Sequence, residues 1–194
     1  GNVIANNHMD QIFAYGMSDG QIIGNTIGRS QNDNDGEGID LDGASEHVLV
    51  ADNTIDMDGT GSNGIRIMNA SHHITVTNNT IKNAKTYSGI QVFGVSGKPV
   101  HDVTITDNEI SHNGQRGIET GFDIQDISIS HNEIHNNGWQ TSGAGIDVFV
   151  LTSGNMPSVG QNAIYDNTGF AVRNDGGNDA LDASGSWWGT TDPS

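Results

Sequence analysis

The chain contains no cysteine and only 3 prolines in 194 residues. Without cysteine no disulfide can staple the fold, and the redox compartment is left open. Basic residues are scarce too: 7 Lys and Arg stand against 24 Asp and Glu, a formal net charge of −17. So few cations cannot displace the counterions of a polynucleotide, which excludes non-specific nucleic-acid binding. The same charge keeps the chain off an anionic membrane surface. No apolar run approaches the roughly 18 residues that a spanning helix needs, so no membrane insertion is expected. No stretch reads as a signal peptide. No segment sustains a 3.6-residue period, so no helix of consequence is predicted.

What is present is Gly, with 27 copies, and Asn and Asp along the whole length. Hydrophobic residues make up only 33%. Low hydrophobicity with high net charge can mean disorder, but Ile and Val recur here at regular spacing, which a disordered chain does not require. The acidic surface suits a saline or extracellular setting, and clustered oxygens can also bind divalent cations.

The spacing resolves into a repeat. One signature, apolar-x-apolar-x-x-Asn-x-Ile, runs through Val48, Val50, Asn53 and Ile55. It recurs at Ile74, Val76, Asn79, Ile81, at Val103, Ile105, Asn108, Ile110, and at Ile127, Ile129, Asn132, Ile134. Weaker copies carry Ile22, Asn25, Ile27 and Val159, Asn162, Ile164. A second signature, Gly-apolar-x-apolar, follows each copy after a variable gap. It begins at Gly38, Gly64, Gly89, Gly117, Gly145 and Gly169, and Gln11-Ile12-Phe13-Ala14 fills the same slot in the first coil. Both signatures alternate with period two, so each is a strand with one buried face. A single repeat is too short to bury its own apolar side, and stacking the repeats buries a continuous column. The prediction is an all-β, right-handed parallel β-helix of about seven coils, with coils over 1–180 and a capping coil over 181–194. At about 4.8 Å per coil this makes a rod of roughly 35 Å. The recurrent Asn suits a tight turn, because Asn tolerates left-handed backbone, and stacked Asn side chains bond up the column. Gly1-Asn2-Val3-Ile4 already lies inside the repeat, so further coils or a domain are expected before it.

These two signatures resemble those of the right-handed β-helix superfamily, which includes pectate lyases, polygalacturonases, mannuronan C-5-epimerases and bacterial surface proteins. The ending from Asp182 to Pro193, with Trp187 and Trp188, resembles the last coil of many bacterial members, where the two rings are expected to cover the open end of the core. The resemblance implies a binding groove along one sheet, walled by long loops. The variable loops here fall between Asn-x-Ile and Gly-Ile-x-Val, so they flank the Gly-Ile-x-Val sheet.

The outward residues of that sheet form two rows. One runs Phe13, Asp40, Arg66, Gln91, Glu119, Asp147, Ala171. The other runs Tyr15, Asp42, Met68, Phe93, Gly121, Phe149, Arg173. Carboxylates do acid–base work and aromatic faces stack on sugar rings. Asp40, Asp42, Arg66, Glu119 and Asp147 are therefore the candidate catalytic residues. Tyr15, Gln91, Phe93, Trp139 and Phe149 are the candidate substrate contacts. Asp40 and Asp42 point the same way with Cα atoms roughly 6.5–7 Å apart. Glu119 and Asp147 sit on adjacent coils and, if unpaired, repel. Arg66, one coil from Asp40, is placed to hold a uronate carboxylate or an enolate-like intermediate. The plainer alternative is a polar strand face with an Asp40–Arg66 salt bridge.

The active-site motifs of the superfamily are not carried over. The epimerase pattern Tyr-Gly-Phe-Asp-Pro-His-Glu has as its nearest counterpart Tyr15-Gly16-Met17-Ser18-Asp19-Gly20, without Pro, His or Glu. The polygalacturonase pairs are missing as well. Asn32-Asp33-Asn34-Asp35-Gly36 resembles half of an EF-hand loop, which makes Asp33 and Asp35 candidate Ca2+ ligands. Asx-rich turns explain the same run. His47, His73 and His101 fall at similar places in successive coils and, stacked there, offer imidazoles to a transition metal; polar turn positions are the alternative. Two functional readings follow. One is a secreted or cell-surface module that acts on a polysaccharide as lyase, epimerase or glycosidase. The other is a non-catalytic stalk or adhesin segment. Loops folding over the Asp40–Asp147 face favour the enzyme, and a flat open face favours the stalk.

Overall fold

The computed structural model describes residues 1–31, 35–140, 143–150, 155–176 and 179–189. Every named element is a strand, and every strand pairs in parallel with its equivalents in the neighbouring coils. Three sheets run along the coil axis. Sheet A has seven strands, from Val3–Ile4 to Ala163–Tyr165. Sheet B also has seven, from Ile12–Tyr15 to Gly169–Asn174. Sheet C has six, from Gln21–Ile23 to Ser158–Gly160. This is the parallel β-helix predicted from the repeat.

One expectation is refined. The first signature is not one strand but two, because the chain bends between its apolar pair and its Asn-x-Ile. In one coil, Glu46–Ala51 belongs to sheet C and Thr54–Thr60 to sheet A. The bend is made by the residue before the asparagine. Gly24, Asp52, Asn78, Asp107, His131 and Gln161 all have φ between 54 and 67°. The repeated Asn is thus not the left-handed residue. It lies buried just beyond, where its side chain closes the backbone. Asn53 donates its N–H and its Nδ2 to Asn79 Oδ1, each at 3.0 Å. Asn79 makes the same pair of bonds to Asn108, and Asn108 to Asn132. The bonds run unbroken from Asn2 to Asn162, whose N–H meets Ser186. Polar groups at a bend inside the core are costly unless paired, and each asparagine pairs groups that no strand can reach. A shorter column of Asn113, Asn137 and Asn167, five residues further on, does the same at the far end of sheet A.

The core is the stack itself. Ile39, Ile65, Ile90, Ile118 and Ile146 of sheet B are fully buried, as are Ile27, Ile55, Ile81, Ile110, Ile134 and Ile164 of sheet A. The glycine that opens the second signature follows from this packing. A Cβ at Gly38, Gly64, Gly89, Gly117 or Gly145 would lie 2.3–2.7 Å from a core Ile methyl of the next Asn-x-Ile along the chain. Only hydrogen fits where the chain turns into sheet B. At the C-terminal end the expected cap differs. Met156, Val172, Leu181 and Ala183 pack against the core, whereas Trp187 and Trp188 stay 47% and 44% exposed. Trp187 instead continues sheet A by a parallel bridge to Ala163 and lays its ring near Tyr165.

Candidate functional site

Outward residues of an open sheet should be solvated, but the polar ones in the middle of one row of sheet B are not. Asp40 is 1% exposed, Gln91 9%, Glu119 8% and Asp147 3%. Register places them on successive coils: Phe13 pairs with Asp40, Asp40 with Arg66, Arg66 with Gln91, Gln91 with Glu119, and Glu119 with Asp147. A further column closes over them from the position just before the signature glycine, where Asp10, Glu37, Asn63, Ser88 and Arg116 stand in successive coils. The row is therefore a desolvated polar seam, and its two halves differ.

In the N-terminal half, Arg66 spans two carboxylates. Its Nε and Nη2 donate to Asp40 at 3.2 and 2.6 Å, and its Nη1 lies 2.9 Å from Glu37. Asn63 Nδ2 donates to Glu37 at 3.3 Å. Asp10 accepts the Glu37 backbone N–H at 2.9 Å and also bonds the Glu37 carboxyl. Two buried carboxyls thus share one guanidinium, with Asp10 beside them, and burial disfavours their charge. Burial, together with the hydrogen bond to Asp10, raises the Glu37 pKa to about 8, against the pull of Arg66. Burial also raises Asp40, against the same guanidinium. Burial works against the Arg66 charge, but Asp40 and Glu37 more than offset it and hold its pKa above the usual value. At neutral pH the cluster is then best described as a protonated Glu37 bonded to Asp10, beside an Asp40–Arg66 ion pair. It opens on a cleft of about 460 Å³ lined by Met9, Asp10, Phe13, Asp40, Asp42 and Arg66. Asp10, Glu37 and Asp40 also bring one ligand oxygen each within 4.8 Å of one another, the only such trio of His and carboxylate groups among the described residues.

The C-terminal half is balanced. Arg116 reaches Glu119 at 3.3 Å and Asp147 at 2.7 Å. Arg173 donates to Asp147 and lies 3.0 Å from Asp175. Gln91 and Ser88 both donate to Glu119 Oε2, at 3.0 and 3.1 Å. The repulsion expected between Glu119 and Asp147 is relieved by Arg116, which lies between them.

The other expected residues are spread out. Asp42 lines the same cleft as Asp40 and accepts from Asn69 Nδ2 at 2.6 Å. Tyr15 is 71% exposed, beside Phe13 at a centroid distance of 6.1 Å. Phe93 and Phe149 are joined through Phe122 in a T-shaped series at 5.0 and 5.4 Å. Phe93 and Phe122, with Met68 and Val95, line a separate apolar cleft of about 470 Å³. Phe122 was not expected there, because the period-two row points to Gly121; Phe122 is left-handed, with φ 62°, which breaks the alternation. Trp139 is exposed on its loop, with Nε1 donating to His112 O. Of the candidate calcium ligands, Asp33 lies outside the described residues, and Asp35 Oδ1 accepts the N–H of Gly36. Asp10, Glu37, Arg116 and Arg173 complete the seam and were not chosen from the sequence. The first three become visible by reading one residue ahead of the signature glycine.

Comparison with known proteins agrees with this architecture. The structure resembles the A-module of mannuronan C-5 epimerase AlgE4 from Azotobacter vinelandii, with a TM-score of 0.65 and 15% identity over 95% of this chain and 55% of that one. It resembles a double mutant of the periplasmic alginate epimerase AlgG with a TM-score of 0.66 and 16% identity, over 92% of this chain and 48% of the other. The A-module of AlgE6 from the same Azotobacter species matches at 0.52 and 14% identity, over 97% and 59%. The chain thus spans about half the length of these structures, and at such identity the likeness is one of fold. A search among curated proteins found no match. The family model described as periplasmic copper-binding protein (NosD) matches residues 1–193, and the chain belongs to that family.

Proposed function

We propose that this chain is a carbohydrate-active β-helix module, secreted, periplasmic or at the cell surface, that binds a polysaccharide along sheet B and works by proton transfer at Asp10 and Glu37. The observation that carries this reading is the buried Glu37, whose pKa burial and Asp10 raise to about 8, held by Arg66 behind a cleft that Asp10, Asp40 and Arg66 line. A carboxyl with a pKa near the working pH is what general acid–base catalysis needs. Asp10 lines the cleft and bonds Glu37, so it relays a proton between Glu37 and a sugar. Asp40 and Arg66 orient each other, and Arg66 keeps one edge toward the cleft for a sugar hydroxyl or carboxylate. Phe13 and Tyr15 provide ring faces for stacking. The desolvated seam also favours an enzyme over a stalk, and the folds matched include epimerases of alginate.

With Glu37 protonated, two carboxylates and one guanidinium leave one negative charge. A neutral glycan suits that balance, and a polyuronate needs Ca2+ to bridge it. Arg66 already stands where a cation would serve Glu37 and Asp40, so a proton is the occupant this geometry favours.

The test is turnover of alginate, pectate and neutral glycans, with and without Ca2+. New double bonds report a lyase, reducing ends a hydrolase, and exchange of the C5 hydrogen an epimerase. Glu37→Gln and Asp10→Asn should each lose at least ~100-fold in rate. A folded chain that neither turns over nor binds any of these polymers would leave the stalk as the better reading.

A second reading, transition-metal binding, is favoured by one observation besides the family description. Four imidazoles and two carboxylates lie side by side on sheet C, which is separate from the sheet that carries the cleft.

A further inference from the structure

Sheet C departs from period two at one recurrent place. Asp19, His47, His73, Asp102 and Asp126, one in each of five successive coils, are all left-handed, with φ between 50 and 53°. None is glycine, and such backbone is uncommon for L-residues outside Asn and Asp. Its consequence is geometric. A left-handed residue in a strand cancels the alternation, so it and its predecessor present their side chains on the same side. His72 and His73 accordingly meet edge to face, with centroids 5.0 Å apart. Glu46, His72 and His101 share one register column. His47, His73 and Asp102 form the column beside it, with the His47 and His73 rings stacked at 4.7 Å. The His72 and His101 rings stack at 4.7 Å as well. The sequence places His47, His73 and His101 in one column; the register puts His101 over His72 instead, and a two-by-three array results.

The array divides into two equivalent sets, each with one carboxylate between two imidazoles. Glu46 Oε2 lies 3.2 Å from His72 Nε2 and 3.9 Å from His47 Nδ1. Asp102 Oδ2 lies 2.8 Å from His101 Nδ1 and 3.6 Å from His73 Nε2. Ligand atoms held tetrahedrally at 2.0–2.1 Å from a metal lie about 3.3 Å apart, which is the scale of the carboxylate–imidazole separations, whereas the two imidazoles of each set hold their ligand atoms more than 4.8 Å from each other. The His72 Nδ1 bonds the Ala70 carbonyl at 3.0 Å, leaving Nε2 directed at Glu46. That outer bond fixes tautomer and ring orientation, as in metal-ligating histidines generally. The imidazoles of each set meet the carboxylate rather than each other. His47 and His73 are about half exposed and free of core packing, and closing each set requires their side chains to rotate.

Deepening the metal-binding reading, on which it rests, we propose that sheet C binds two transition-metal ions of the Cu(II), Ni(II) or Zn(II) class. One is held by Glu46, His47 and His72, and the other by His73, His101 and Asp102. Two imidazoles with a carboxylate suit these ions and give no advantage to Ca2+. Each ion keeps an open position, because the ligands come from one face only.

The experiment titrates the full chain, first stripped with chelator, with CuCl2 and separately with CaCl2, read by calorimetry and by electron paramagnetic resonance. The expected result is two Cu(II) per chain with nitrogen hyperfine structure, undisturbed by excess Ca2+. His72→Ala should remove one ion, and His72→Ala with His101→Ala both. His112→Ala with His135→Ala should remove none. All these side chains lie outside the core, and circular dichroism checks the fold. Unchanged stoichiometry in the His72/His101 variant would place copper elsewhere and overturn the site while leaving the metal-binding reading intact. No copper bound by the parent chain would overturn both.

Discussion

The two halves of the sheet B seam are built from the same register and are almost equally buried, yet they hold opposite kinds of chemistry. In the C-terminal half two guanidiniums meet the two buried carboxylates of Glu119 and Asp147, with the half-exposed Asp175 alongside, and every charge has a partner. In the N-terminal half one guanidinium meets the two buried carboxyls of Glu37 and Asp40, and the shortfall of positive charge is made up by a proton. Burial alone does not make a reactive acid. Burial with one cation too few does, because the low dielectric leaves protonation as the cheapest way to neutralise the extra carboxyl. On the proposed function, the balanced half serves as structure and the unbalanced half is where proton transfer takes place.

The contrast can be broken most sharply at Asp147. Asp147→Ala leaves Arg116 and Arg173 without their shared partner, and unfolding in denaturant should show a loss of about 3 kcal/mol, the lower end for a broken buried pair because both arginines keep some solvent contact. The next largest effect is the pH dependence of the other half. Glu37 is raised in the folded state from 4.5 to about 8. Its contribution is therefore fully present below about pH 4.5 and is lost as pH rises through 8, because the native state alone holds the proton in between. Stability measured from pH 5 to 8 should fall by up to ~1.4 kcal/mol per pH unit, and Glu37→Gln should flatten that fall. A slope that persists in the variant would assign the proton to another group. A smaller effect is expected for Asp42→Asn, which weakens charge-assisted bonds to Asn69 and Gly43 at the edge of the cleft and should cost about 1 kcal/mol. The smallest is expected away from the seam. Arg29 and Asp58 are 4.0 Å apart and more than half exposed, and Arg29→Gln should change stability by no more than ~0.5 kcal/mol.

Much of the fold was legible because a stacked repeat writes its contacts in one dimension. Ile55, Ile81, Ile110 and Ile134 occupy one position of the signature and one column of the core. The outward row of sheet B was legible for the same reason, since period two dictates which face Asp40, Glu119 and Asp147 take. The site itself was legible only in part. Asp40 and Arg66 were named and lie together, but Asp10 and Glu37 stand before the strand begins, where alternation gives no direction. The alternation also failed at Phe122 and at the histidine array, where left-handed residues redirect the side chains.

By itself the sequence determined the coil, the core columns and the facing of the strands, because these depend on local period and on like residues stacking on like. Only the tertiary structure decided which outward groups lose water, which carboxyl lacks a cation, and which histidines become neighbours. Those depend on the length of each loop and the register of each coil against the next. Burial and charge balance are sums over neighbours from several coils, and no single coil contains them.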